Sequence, residues 1–230
     1  ASIVPWGWNP SIRKYLLKRG VNEDKLPSPR LLADYRSLSS RIQAVEMTRR
    51  MTGRYPGYTC GEHTLMNNIE DCERIVNTMH ACLLKVPWSG SGKGLNWCLH
   101  GFTKPVSNWC ERILREQGCL TAEPIYNKVE DFALEFYSDG CGGVRFAGYS
   151  MFSTNEHGAY TGNLLASDGQ IEEIIARYLP LEKLERIREA LRTELASVYG
   201  YTYTGYLGVD MMICRQDKEN KYLVHPCVEI

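Results

Sequence analysis

The sequence has no long apolar run, no excess of either charge and no paired-cysteine motif. No stretch approaches the roughly 18 apolar residues that cross a bilayer, so no membrane span is expected. The 27 basic and 27 acidic side chains cancel. That balance gives no support for a non-specific nucleic-acid binder, which carries a basic excess. None of the nine cysteines forms a CxxC pair, and several sit in apolar runs, as Cys82 does in ACLLKV and Cys214 in MMIC. Their number is odd. Buried, reduced thiols in a cytoplasmic protein are expected, rather than a disulfide framework. Internal repeats and low-complexity segments are missing too. No charged-then-apolar leader opens the chain, so no secretion signal is read.

What is present suits a folded protein. Hydrophobic residues make up 43% of the 230, and 14 Tyr, 5 Trp and 5 Phe are available for burial. This excludes wholesale disorder and allows one large or two small domains. The chain starts at Ala1 and stops at Ile230 inside the apolar stretch YLVHPCVEI. It reads as a fragment of a longer protein.

Apolar spacing and capping residues set the expected elements. Ser11 to Arg19 is a helix stopped by Gly20, and Ser28–Pro29 is the N-cap and first position of a second. That helix runs on through RIQAVEMTRRM with a break near Ser39–Ser40. Residues 52–62 are loop or a short strand. Ile69 to Met79 is a helix with apolar Ile69, Cys72, Val76 and Met79 on one face. ACLLKVPW at 81–88 is a strand followed at once by the glycine loop SGSGKG. Pro105 to Gln117 is a helix ended by Gly118. Strands follow at 119–126, 131–137, 144–153 and 158–166, the last two joined by the turn TNEHG. Helices at 170–178 and 181–198 precede a closing hairpin, LGVDMMICR and KYLVHPCVEI around QDKEN. Helix and strand alternate in the first half, and antiparallel strand dominates the second. The fold class is α+β with two lobes.

Two groups of residues carry chemistry. Lys85 stands in a buried-looking strand directly before Ser89–Gly94, and backbone N–H groups of a glycine loop can cradle phosphate oxygens. An edge-strand lysine before an ordinary turn has the same local pattern. The P-loop is excluded because its first glycine is missing, and the protein-kinase order because the lysine precedes the loop. Asp210 and Glu229 lie on the two strands of the closing hairpin. Two carboxylates among apolar strand residues repel unless a cation sits between them, and hard oxygen ligands suit Mg²⁺ shared with phosphate. Glu123 and Asp131 flank a turn after a strand, where a carboxylate can hold a ribose or an amino group, or cap a loop. Cys60, His63, His80 and Cys82 have CxxH and HxC spacings that are unusual for zinc. Arg49, Arg50 and Arg54 read as a solvated helix end.

Taken in order, the strand lysine and glycine loop, then EPIYNKVEDFALEF, then GVDMMICRQDKENKYLVHPCVEI resemble the ATP-grasp family. The likeness is to D-alanine–D-alanine ligase and other carboxylate–amine ligases, and it spans roughly residues 40 to 230. VPWGWNP and LPSPRLLADYRSLSSR are similar to a little-characterised Bacteroidetes-type group within that family. The resemblance implies residues 1–40 as the tail of a preceding domain. It makes 41–122 the N-terminal lobe with the glycine loop and 123–230 the metal-binding lobe. It implies Lys85 on the α/β-phosphates and Ser89, Gly90, Ser91, Gly92, Lys93 and Gly94 as the loop that folds over them. Glu123 would lie near the adenine amino group, Asp131 on the ribose, and Asp210 and Glu229 on magnesium. Arg41 takes roughly the place of the first nucleotide lysine, and Asn163 the place of a loop lysine on the γ-phosphate. The implied chemistry is ATP- and Mg²⁺-dependent: a small-molecule carboxylate becomes an acyl phosphate, which an amine attacks. A nucleotide-binding protein with kinase-like or no ligase activity is the alternative. Neither nucleic acid nor membrane is an implied partner, and a homodimer is compatible. The family motif Glu-x-Asn would place a further ligand one residue past Ile230, so incomplete activity is expected of this piece.

Overall fold

The structure is a computed structural model, and it describes every residue except 1, 2, 4, 6, 91, 92 and 217–220. Two antiparallel sheets organise the chain. The first has four strands, β1 (Thr64–Met66), β2 (Cys82–Lys85), β3 (Leu95–Cys98) and β4 (Leu120–Pro124), in the order β1-β4-β2-β3. The second has five, β5 (Lys128–Asp139), β6 (Val144–Thr154), β7 (Tyr160–Asn163), β8 (Thr204–Gln216) and β9 (Lys221–Glu229), in the order β7-β6-β5-β8-β9. The expected α+β architecture is what the chain adopts. The 122/123 boundary expected between lobes falls inside β4, and the linker between sheets is Ile125–Asn127.

The helices start where their caps put them. Helix α1 (Pro10–Lys18) is capped by the Asn9 side chain, and α2 (Pro29–Leu38) by Ser28 with Pro at its first turn. The expected break separates α2 from α3 (Ile42–Arg54) at residues 39–41. Asn68 caps α4 (Ile69–Met79), which with α5 (Lys104–Gln117) covers one face of the four-stranded sheet. Cys72, Val76, Cys110 and Ile113 from these helices meet Cys82, Leu84, Leu120 and Ala122 from the strands. Helices α6 (Asp168–Ile175) and α7 (Leu181–Tyr199) join α3 under the five-stranded sheet. Ser167 and Gln170 form a capping box at the start of α6.

Alternation along the strands divides each sheet into a core face and an open face. In β5, Phe132, Leu134 and Phe136 point to the helices and are fully buried. Asp131, Ala133 and Glu135 take the other side. Truncating Phe132 to alanine is expected to cost about 3–5 kcal/mol, read by urea denaturation. Strands β1 and β3 extend the sequence reading, which assigns no element in either place. Each is only three or four residues long, and sheet pairing, not local pattern, holds them.

Candidate functional site

The two open faces look at each other across a cleft of about 820 Å³. Register decides what each sheet offers it. In the first sheet Leu83 pairs with Glu123 and Trp97, and Lys85 with Thr121 and Leu95. All six therefore share the cleft face, while Cys82 and Leu84 turn to the core. Lys85 and Glu123 meet diagonally across β2 and β4, Nζ to Oε1 at 2.6 Å, with side chains only 6% and 4% exposed. So Lys85 is a buried cation with a partner, not an exposed edge lysine.

In the second sheet Asp210 lies directly opposite Glu229, as the hairpin reading requires. Ala133 separates Asp210 from the β6 strand, so Asp131 and Glu135 stand one step to either side on the same face. Burial, then the charges of Glu229, Glu135 and Asp131, push the Asp210 carboxyl up to about 7. Burial raises Glu135 as well. Glu135 is a carboxylate of the open face, beside the cleft lining, that the sequence reading passed over, although its alternation with Asp131 in DFALEF is visible. Asp131 Oδ2 accepts from Thr154 Oγ1 at 2.9 Å and pairs with Lys128, another residue not singled out beforehand. Asn163 Oδ1 accepts from Ser150 Oγ at 2.9 Å at the outer strand.

Arg41 ties the two sheets together. It immediately precedes α3, and its side chain reaches the Val86 carbonyl at 2.8 Å, Ser89 Oγ at 2.6 Å and Glu229 Oε2 at 2.7 Å. One guanidinium thus holds the start of the glycine loop and one of the two hairpin carboxylates. Replacing it with methionine is expected to lower affinity for Mg²⁺–ADP at least about tenfold through the lost charged hydrogen bonds, measured by calorimetry.

The loop itself turns back on β2. Val86 N–H bonds to the Gly94 carbonyl at 3.0 Å and Lys93 N–H to the Gly90 carbonyl at 3.1 Å. Gly94 has φ +72°, and a Cβ there would lie 2.4 Å from Val86 Cγ2. Glycine is required at that position on both counts. Gly94→Ala should therefore lower the melting temperature and reduce nucleotide affinity, both readable in one thermal-shift titration.

Solved structures share this fold. N5-carboxyaminoimidazole synthetase from Staphylococcus aureus, complexed with ADP, superposes with TM-score 0.51 at 14% identity over 81% of this chain and 43% of its own. A biotin carboxylase–β-γ-ATP complex from Campylobacter jejuni gives 0.52 at 15%, over 81% and 39%. Rhizobium etli pyruvate carboxylase gives 0.56 at 14%, over 96% and 18%. The chain has an ATP-grasp fold. It spans less than half the length of each of these neighbours. No family model and no curated protein sequence matches it.

Within the ATP-grasp cleft, the structure brings together Arg41, Lys85, Glu123, Asp131, Asp210 and Glu229, all on its lining. Ser89, Gly90, Lys93 and Gly94 lie in the connection between β2 and β3 and are not among its lining residues, and Ser91 and Gly92 lie outside the described residues. The cysteine–histidine set does not assemble. Cys82 faces the α4–α5 core, His80 is exposed at the end of α4, and all nine cysteines are free. His63 instead joins His225 beside Glu123, a grouping the sequence reading missed. Burial holds the His63 ring at about 4 and His225 well below its ordinary value, so both are neutral at neutral pH.

Proposed function

We propose that the cleft is the nucleotide site of an ATP- and Mg²⁺-dependent ligase. It would activate a small-molecule carboxylate as an acyl phosphate for attack by an amine. The observation that carries this reading is the convergence, on two facing sheets, of a buried lysine behind a glycine loop and a cross-strand carboxylate pair. ADP and β-γ-ATP in the complexes of the S. aureus and C. jejuni neighbours support a nucleotide in this position.

The donor set fits the metal. Asp210 and Glu229 offer hard oxygens side by side, Asp210 is held back from ionising by burial and then by its acidic neighbours, and Arg41 already places one cation against Glu229. Bound there, Mg²⁺ would supply neutralisation of the phosphate oxygens. Lys85, from the opposite sheet, and Arg41, from the start of α3, would bind and orient the phosphates. Glu123 and Asp131 would flank the nucleoside on either side of the linker, and the loop around Ser89–Gly94 would exclude water.

A nucleotide-binding protein without ligase activity is favoured by one residue: neutral Asn163 stands where the resemblance places a cation. No helix among the described residues is long and apolar enough to cross a membrane. We place the protein in the cytoplasm, with small-molecule rather than nucleic-acid or membrane partners, and with a homodimer as the assembly to test. Incubation with ATP, Mg²⁺, hydroxylamine and a panel of carboxylic acids decides between the readings. A hydroxamate formed with ADP release is expected for the ligase. ADP stabilisation without hydroxamate would select the alternative.

A further inference from the structure

We infer that His63, Glu123 and His225 form a binding site for one divalent first-row transition-metal ion, separate from the Asp210–Glu229 carboxylates. His63 Nε2 lies 3.7 Å and His225 Nε2 4.0 Å from Glu123 Oε2, and the three ligand atoms are all within 4.8 Å of one another. Among the described residues this is the one such grouping of three. The side chains are 3%, 4% and 0% exposed for His63, Glu123 and His225.

The decisive feature is what these atoms lack. His63 Nε2, Glu123 Oε2 and both ring nitrogens of His225 are buried with no hydrogen-bond partner. A buried polar atom left unpaired costs about 1–3 kcal/mol, and here several converge on one point. Neutral imidazole and carboxylate together select Zn²⁺, Fe²⁺, Co²⁺ or Ni²⁺ over Mg²⁺, which takes oxygen donors and keeps its waters. Bonds of about 2.1 Å in a tetrahedral site set donors roughly 3.4 Å apart. The two imidazole–carboxylate distances, 3.7 and 4.0 Å, need to shorten by about 0.3 and 0.6 Å to reach that.

The surroundings hold the donors as outer partners of a metal site do. Glu123 Oε1 is bound by Lys85, which turns Oε2 toward the rings. His63 has a backbone hydrogen bond with Cys227, leaving Nε2 as its free nitrogen. His225 is packed edge-on by the rings of His63 at 5.1 Å and Tyr126 at 5.4 Å. Gly61 presses the chain against it: φ is +125°, and a Cβ there would lie 2.9 Å from His225 Nε2. The segment carrying His63 runs alongside β9 through Cys60 N–H to the Val224 carbonyl at 2.8 Å and Val224 N–H to the Tyr58 carbonyl at 3.0 Å. That pairing brings two histidines far apart in sequence to one carboxylate.

The test uses Co²⁺ alone, without nucleotide, so its outcome is independent of the ligase reading. Equilibrium dialysis of the metal-stripped chain in excess Mg²⁺ should retain one Co²⁺ per chain, with visible d–d bands and imidazole nitrogen in its pulsed-EPR spectrum. His63→Gln and His225→Gln should each weaken binding at least tenfold, with folding checked by circular dichroism. If His225→Gln fails to fold, the nitrogen signature of the wild type and the His63→Gln titration decide alone. No retained Co²⁺ in the folded wild type overturns the inference. So does a thiolate-to-cobalt charge-transfer band without nitrogen coupling, or undiminished binding by the folded variants.

Discussion

Asp210→Asn is expected to make the nucleotide-free protein more stable at alkaline pH while cutting Mg²⁺-dependent turnover at least about a hundredfold. In the wild type, burial and three neighbouring acids raise the Asp210 carboxyl from 3.8 to about 7. A raised folded value means the folded state binds the proton more tightly than the unfolded chain. Stability from this group is therefore complete below about 4, falls as pH rises through the interval, and is lost above about 7. The ceiling on the loss is about 4 kcal/mol, and partial access to water will lower it. Asparagine is neutral throughout. The variant and the wild type should melt together only below about pH 4, begin to separate between pH 4 and 7, and differ by several degrees near pH 8.5, the variant higher. Mg²⁺–ADP should then stabilise the wild type more than the variant. A wild type no less stable than Asp210→Asn at pH 8.5 would show that the carboxylates do not repel in the folded state.

Lys85→Ala should be among the most damaging single changes in the cleft, for a reason beyond nucleotide contact. Its ammonium is the close charged partner of Glu123, 2.6 Å away and nearly inaccessible. Removing one member of a buried pair leaves an uncompensated charge and costs about 3–5 kcal/mol. Lost ATP affinity in this variant therefore mixes misfolding with a missing phosphate ligand. The double variant Lys85→Met with Glu123→Gln removes both charges and should recover most of the stability without recovering nucleotide binding. Urea denaturation of the four proteins in the cycle gives the coupling. Additive losses would mean the pair is not formed in solution.

Much of this architecture could be read from local chemistry. Ser28–Pro29 marks a helix start whatever surrounds it, and the break at Ser39–Ser40 shows in the loss of apolar spacing. Asp210 and Glu229 could be set side by side because one hairpin contains both. The Lys85–Glu123 pair could not, since it depends on the β2–β4 register across the whole of β3 and α5. The reading consequently gave the two residues separate tasks. His63 and His225 were out of reach for the same reason, being joined through a bridge between Thr59 and Val224. Glu135 is a different case. Its strand periodicity was plain, but a carboxylate on an open face has no meaning until the facing sheet is known.

The position of β9 fixes when α3 can be covered. Helix α3 receives its partners from the other end of the chain: Thr48 Oγ1 bonds the Cys227 carbonyl 179 positions on, and Arg41 meets Glu229 after 188. During synthesis α3 emerges early and must wait for β9 before its apolar face is covered. Contacts of such long sequence separation form slowly, because the loop they close is ordered before they contribute. The four-stranded sheet with α4 and α5, drawn from a nearly continuous segment between Thr64 and Pro124, can assemble in the meantime. The ribosome-bound chain should then hold the four-stranded lobe finished and α3 exposed, with the cleft appearing only once β9 docks.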